Sequence, residues 1–159
     1  NPLPYQKLNA LGLPALSAER VIPSIIVGNS GYPTNNHLDA VDYLIRNNVR
    51  ANLRIPVSYG DKRYVEFLKK KFADYPLGTV EFIDRYMGFD EYLNFLKDAD
   101  ALIMNNIRPQ GYGNVFMMLY LGKPVFLNGN NISLPDLEKN GIMTNDWAEL
   151  KSTILIPGD

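Results

Sequence analysis

Arg108-Pro-Gln-Gly-Tyr-Gly-Asn114 is a glycine-rich turn that runs directly into the short apolar segment Val115 to Leu121. Ahead of it, Asp100 to Met104 reads as a strand. A strand, a glycine turn and a helix start in that order leave backbone N–H groups without helical partners, and such amides hold phosphate. The chemistry implied is binding of a nucleotide or nucleotide sugar. The amides of Gly111, Tyr112, Gly113 and Asn114 are the expected donors, beside Gln110 and Arg108. Arg108 can add a charge-assisted bond, or it can be a solvated loop cation or half of an ion pair. The same Gly-x-Gly spacing also serves as an ordinary tight turn, so the rest of the chain must decide.

A second loop of similar character follows the apolar run Ser24-Ile-Ile-Val27. Its residues Gly28, Asn29, Ser30 and Gly31 are expected to form a second cradle, with glycines for close approach and polar side chains for phosphate or sugar oxygens. A plain turn that caps the next helix is the alternative. His37 is the only histidine. It falls in the first turn of a helix, where the helix field lowers its pKa and keeps it neutral. It can orient a ligand there, or it can be a surface or capping residue. Ser58, Tyr59 and Gly60 follow the next strand and Tyr86 the one after. A tyrosine face is flat, apolar and easily ordered, so Tyr59 and Tyr86 are candidates to pack on a base or sugar, although most of the ten tyrosines must be scaffold.

These residues need a frame, and the periodicity supplies one. Strands are expected at Ser24 to Gly28, within Val49 to Val57 and ending at Pro56, and at Thr79 to Ile83, Asp100 to Met104 and Lys123 to Leu127. Helices are expected from about Asn36 to Asn47, capped by Thr34, Asn35 or Asn36, then around Tyr64 to Phe72 and after Gly88. Val115 to Leu121, apolar on every side, should be a helix sandwiched between the sheet and another element. A further helix begins at Ser133 in capping-box style and stops at Gly141. Ala148 to Ile156 is too short to classify. Strand and helix alternate about five times with short connections, which predicts an α/β fold, a doubly wound Rossmann-like parallel sheet of about five or six strands. Ligands of such sheets bind beyond the carboxyl ends of the strands, where the four loops just named converge.

Composition narrows the partners. The chain has 159 residues, 46% of them hydrophobic, enough for one domain. The formal net charge of -1 lacks the basic excess of a nucleic-acid binder. Cysteine is absent and a single histidine makes a zinc site improbable. No apolar run approaches the roughly 18 to 20 residues of a membrane span. The first residue is Asn1, and residues 1 to 23 hold four prolines without periodicity. They read as a linker or lead-in, residues 24 to 159 as the folded domain, and the chain as a piece of a longer protein. Lys69 to Lys71 read as a wet helix end, with anionic lipid as a second possibility.

Four blocks together resemble the bacterial TDP-N-acetylfucosamine:lipid II N-acetylfucosaminyltransferases of glycosyltransferase family 56. They are Val27-Gly-Asn-Ser-Gly-x-Pro-x-Asn-x-His37, Ile55-Pro-x-x-Tyr-Gly60, Gln110-Gly-x-Gly113 and Leu121-Gly-x-Pro-x-x-Leu-Asn128. The similarity runs from about Ile25 to Gly141, whereas the family's enzymes are roughly twice this length with two Rossmann-like domains. The resemblance implies the C-terminal, donor-binding domain of a GT-B enzyme, with the N-terminal acceptor domain absent from this chain. It implies a TDP-sugar donor, a polyprenyl-diphosphate-linked saccharide acceptor, peripheral contact with the cytoplasmic face of the inner membrane, and no cofactor. No divalent metal is expected, and the sequence has no Asp-x-Asp motif to hold one against a diphosphate.

Three functional classes remain: this transferase half, another nucleotide-sugar enzyme on the same sheet, and a non-catalytic flavodoxin-like or receiver-like module. A receiver needs acidic residues at the strand ends, where this chain has Asn, Ser and Gly. A nicotinamide enzyme needs Gly-x-Gly-x-x-Gly in the first loop, which here reads Gly28-Asn-Ser-Gly-Tyr-Pro. Retaining enzymes of the Glu-x7-Glu type carry glutamates where this chain has Pro109 and Met117.

Overall fold

The computed structural model describes residues 22–142 and 144. Five strands, β1 (Ser24–Val27), β2 (Asn52–Pro56), β3 (Val80–Ile83), β4 (Ala101–Met104) and β5 (Val125–Leu127), form one sheet in the order β3-β2-β1-β4-β5. Every pairing is parallel. Between them run α1 (His37–Arg46), α2 (Lys62–Lys71), α3 (Phe89–Asp98) and α4 (Tyr112–Tyr120), and α5 (Leu134–Lys139) follows β5. The architecture is the doubly wound α/β sheet that the alternation predicts. The unclassified segment of residues 148 to 156 and the lead-in through residue 21 lie outside the described residues.

Apart from Ser24, strands β1 and β4 are apolar throughout because both their faces are covered. On one face Ile25, Val27, Leu53, Ile55 and Ile103 pack with Val41 and Leu44 of α1 and Val65 and Leu68 of α2. On the other Ile26, Leu102, Met104 and Val125 meet Phe95 and Leu96 of α3, Val115 and Met118 of α4 and Leu137 of α5. Strand β2 is only partly covered on its second face, where Asn52 and Arg54 lie half-buried. Arg54 lies there with its guanidinium 4.3 Å from the Phe95 ring centre and 3.1 Å from Glu81.

Several local expectations need correction. The segment after β4 becomes helical three residues early, at Tyr112, because the glycines are part of its first turn. It is not covered all round: Phe116 is 46% and Tyr120 78% exposed. Asn36 sits at the N-cap of α1 in a left-handed conformation and its side chain caps nothing. Its carboxamide instead donates to the Asn105 carbonyl at 2.9 Å, a tertiary bond that displaces the cap. Ser133 makes no side-chain cap either. Asp61 caps α2 by accepting from the amides of Arg63 and Tyr64 at 2.8 and 3.2 Å.

Candidate functional site

The sheet changes direction between β1 and β4, which adjoin although α1 and α4 leave them toward opposite faces. A crevice at their carboxyl ends is the usual ligand position of such sheets. The β1 loop and the β4 loop flank it, and the β2 loop reaches it from one side.

The β1 loop is sealed from within. Its Gly28 amide donates to the Ile103 carbonyl at 2.8 Å, the Asn29 amide to Asn35 Oδ1 at 2.9 Å and the Gly31 amide to the Tyr59 carbonyl at 2.7 Å. Asn35 is fully buried, and its Nδ2 donates to Ser30 Oγ and the Tyr32 carbonyl. Of the four amides expected to form a cradle at residues 28 to 31, those of Gly28, Asn29 and Gly31 are thus engaged inside the protein, and among the described residues that of Ser30 has no acceptor. The glycines serve other ends. Gly31 and Gly60 touch across the β1 and β2 loops, and a Cβ on Gly60 would lie 2.4 Å from the Gly31 backbone. Gly28 has φ +74°, and a Cβ there would lie 2.7 Å from His37 Nε2.

The β4 turn is the opposite case. Gly111 takes φ +68°, a left-handed N-cap that lets the chain pivot from the loop into α4. The amides of Asn114 and Val115 return to the Gly111 carbonyl at 3.0 and 3.2 Å. Among the described residues, the amides of Gly111, Tyr112 and Gly113 have no acceptor. Gly113 is exposed and nothing lies within 4 Å of where its Cβ would be. Three amides of the expected four are therefore unclaimed, at the positive end of a helix and at the switch point of the sheet. Arg108 is exposed beside them, and no carboxylate pairs with it among the described residues.

Side chains tie the loops together. Asn29 Nδ2 donates to the Tyr59 hydroxyl at 3.0 Å, and Asn29 Oδ1 accepts from Gln110 Nε2 at 3.1 Å, so one carboxamide joins the β1, β2 and β4 loops. Behind it Asn105 Nδ2 donates to the Asn36 carbonyl at 3.1 Å and Asn128 Nδ2 to Asn105 Oδ1 at 2.9 Å. Together with the Asn36 bond these carboxamides link the ends of β1, β4 and β5 without a formal charge. Tyr59 is 55% exposed, edge-on to Tyr32 with centroids 6.3 Å apart. Ser58 is exposed next to it. Tyr86 stands 86% exposed on the turn after β3, with no bond drawing it toward the crevice.

His37 is fully buried beneath Gly28, not at the solvent edge. Its pKa is lowered to about 4, and burial is the cause, not the helix field. The Tyr64 hydroxyl lies 3.2 Å from Nδ1, and Nε2 has no partner among the described residues. A neutral imidazole without solvent contact supports the loop above it and does not reach a ligand directly.

Two participants were not among the expected site residues, although Asn35 was a candidate helix cap. Asn35 holds the β1 loop, and a cluster of asparagines at strand ends was its only signal. Tyr92 of α3 donates to Asn114 Oδ1, so it fixes the side chain at the mouth of the β4 turn. Burial pushes the Tyr92 hydroxyl pKa up to about 12. Its helical spacing with Phe89 and Leu96 made it look like core.

The fold and the crevice define a Rossmann-like domain with unclaimed amides at a helix start. Residues 9–154 match the family described as 4-alpha-L-fucosyltransferase, glycosyl transferase group 56, and the chain belongs to that family. Among solved structures it is similar to AviGT4, a glycosyltransferase involved in avilamycin A biosynthesis, with a TM-score of 0.54 and 18% identity over 83% of this chain and 40% of that one. It is also similar to the N-terminal domain of trehalose-6-phosphate phosphatase from Candida albicans, with a TM-score of 0.52 and 13% identity over 94% of this chain and 38% of that one. At such identities these two carry the fold alone. The chain spans about two fifths of each.

Proposed function

We propose that this domain is the donor-binding half of a transferase that moves an N-acetylfucosamine-type sugar from a TDP-sugar to a polyprenyl-diphosphate-linked saccharide, in surface polysaccharide synthesis. The observation that carries the reading is the set of unclaimed amides at Gly111, Tyr112 and Gly113. As the glycosidic bond breaks, negative charge grows on the departing diphosphate, and donors already aimed at that point stabilise it without reorganising. Arg108 adds a mobile charge, and Asn114, held by Tyr92, adds a fixed dipole. Tyr59 flanks the crevice as a face for thymine or sugar, and Gln110 is held to it through Asn29. Ser58 and Tyr86 contribute at the margin. Gly28, Asn29, Ser30, Gly31, Gly60 and His37 act by shaping the crevice wall, and the acceptor and catalytic base belong to a second domain. The protein works at the inner membrane as a peripheral protein, and no helix among the described residues is long and apolar enough to cross one.

Thermal denaturation with thymidine, uridine and guanosine diphosphates tests the donor. Thymidine diphosphate in hundredfold excess over its Kd should raise the midpoint by about 5–10 °C. A larger response to uridine diphosphate would move the reading to another nucleotide-sugar transferase, and no response to any of the three would refute it.

A further inference from the structure

We propose that the outer face of α2 is the surface on which this domain meets an anionic lipid bilayer. The proposal rests on the lipid-linked acceptor of the reading above and names the face that would bring the domain to it. Helix α2 buries Val65 and Leu68 against the sheet. Its opposite face carries Arg63, Phe67, Lys70 and Lys71, neighbours at spacings of three and four, and all four are exposed. Phe67 is 42% exposed and the Lys71 ammonium lies 5.7 Å from its ring centre.

Charge on this helix is one-sided. Lys62, Arg63, Lys69, Lys70 and Lys71 face a single carboxylate on the helix, Glu66. Glu66 lies 3.6 Å from Lys69, which also reaches Asp84 at 3.4 Å, so the charge of Lys69 is answered inside the protein. Among the described residues no carboxylate pairs with Arg63, Lys70 or Lys71. The helix dipole accounts for lysines in the last turn. It does not account for Lys62 and Arg63 in the first turn, where a cation is unfavourable, nor for Phe67, which stays 42% exposed although its ring stacks on Tyr64 with centroids 6.4 Å apart. Long cationic side chains around one exposed aromatic match the head-group boundary of an anionic leaflet, where the ring enters the acyl edge and the charges stay at the phosphates. The first turn of α2 follows Gly60 and hence the crevice, so a helix lying flat would hold the crevice mouth about one helix diameter, ~10 Å, from the head groups.

Flotation with vesicles of one part phosphatidylglycerol to two of phosphatidylcholine tests this at low ionic strength. The whole chain should partition to these vesicles and not to pure phosphatidylcholine. Each cation lost should reduce partition about fivefold. The variant Arg63→Gln/Lys70→Gln/Lys71→Gln should therefore lose about a hundredfold, and Phe67→Gln severalfold, with unchanged melting midpoints. A control of the same net charge, Arg50→Gln/Lys97→Gln/Lys139→Gln, should keep most of the binding. Equal loss in the control, no lipid preference, or undiminished binding of the α2 variant would overturn the proposal. Thymidine diphosphate binding is read separately on the same proteins. A chain that responds to the nucleotide and ignores vesicles sinks this surface alone, whereas one that binds vesicles and ignores the nucleotide upholds the surface and sinks the donor reading.

Discussion

The β1 loop and the β4 turn face each other across the crevice, both follow a buried strand, and both are written in Gly, Asn and small polar residues. In the first, amides close on Ile103, Asn35 and Tyr59 inside the protein. In the second, Gly111, Tyr112 and Gly113 leave theirs open at the head of α4. The difference lies in the path of the chain after the glycine. The β1 loop runs through a short 3-10 turn, Pro33–Asn35, before its helix begins, and Asn35 folds back to take up the Asn29 amide. The β4 turn enters its helix at once, so no side chain is available to do the same. The loop that closes on its own protein acts as a brace, and the one that stays open is the proposed seat for the diphosphate.

Substitutions should separate brace from seat, and the largest effect belongs to the brace. Replacing Gly28 by Val puts a branched side chain at φ +74° against His37 and Asn35, which should cost about 2–4 kcal/mol in a denaturant titration. A Gly28→Val protein of native stability would mean that the β1 loop is loose and the contrast false. The pH dependence comes next. The folded pKa of His37, about 4, lies below its unfolded value near 6.5, so the unfolded chain takes up the proton first. The stability that depends on neutral His37 is complete above about pH 6.5 and is lost as pH falls toward 4, by about 3 kcal/mol in all. His37→Phe should flatten that window in urea titrations run across it, and an unchanged slope would assign it elsewhere.

Changes in the seat should leave the fold alone. Arg108→Ala should weaken thymidine diphosphate about tenfold in calorimetry, the value of one charge-assisted bond at an exposed site, with an unchanged midpoint. Gly113→Ala should be the mildest for stability, within about 0.5 kcal/mol, since its Cβ meets open space. It should still reduce nucleotide binding if that space holds the diphosphate, as the proposed function requires. Full binding by Gly113→Ala would move the ligand away from α4.

The sheet was legible because period and punctuation agreed. Ser24 to Val27 and Asp100 to Met104 are too apolar for a one-sided strand, and Gly28, Pro56, Gly122 and Gly141 mark the ends of β1, β2, α4 and α5. The β4 turn was legible as a helix start, since a glycine pair just ahead of an apolar segment marks one, whereas Gly-x-Gly alone does not separate a binding turn from a tight one. The engagement of the β1 amides was not, because it depends on where the Asn35 side chain lands six residues on. The burial of His37 was hidden for a similar reason: the helix position is local, but Tyr64 and Gly28 that enclose it come from other elements. Tyr92 was unreadable because its ring is core and only its hydroxyl reaches the crevice.

The carboxamide chain through Asn36, Asn105 and Asn128 has a consequence for how ionic strength acts here. Its neutral groups gather no counter-ions, so a diphosphate arriving at the crevice displaces few beyond those of Arg108. Dipoles fixed in the backbone are also felt at distances well inside the roughly 8 Å Debye length of physiological saline. Added salt should therefore loosen the grip on nucleotide only slightly, while it strips the domain from vesicles through Arg63, Lys70 and Lys71.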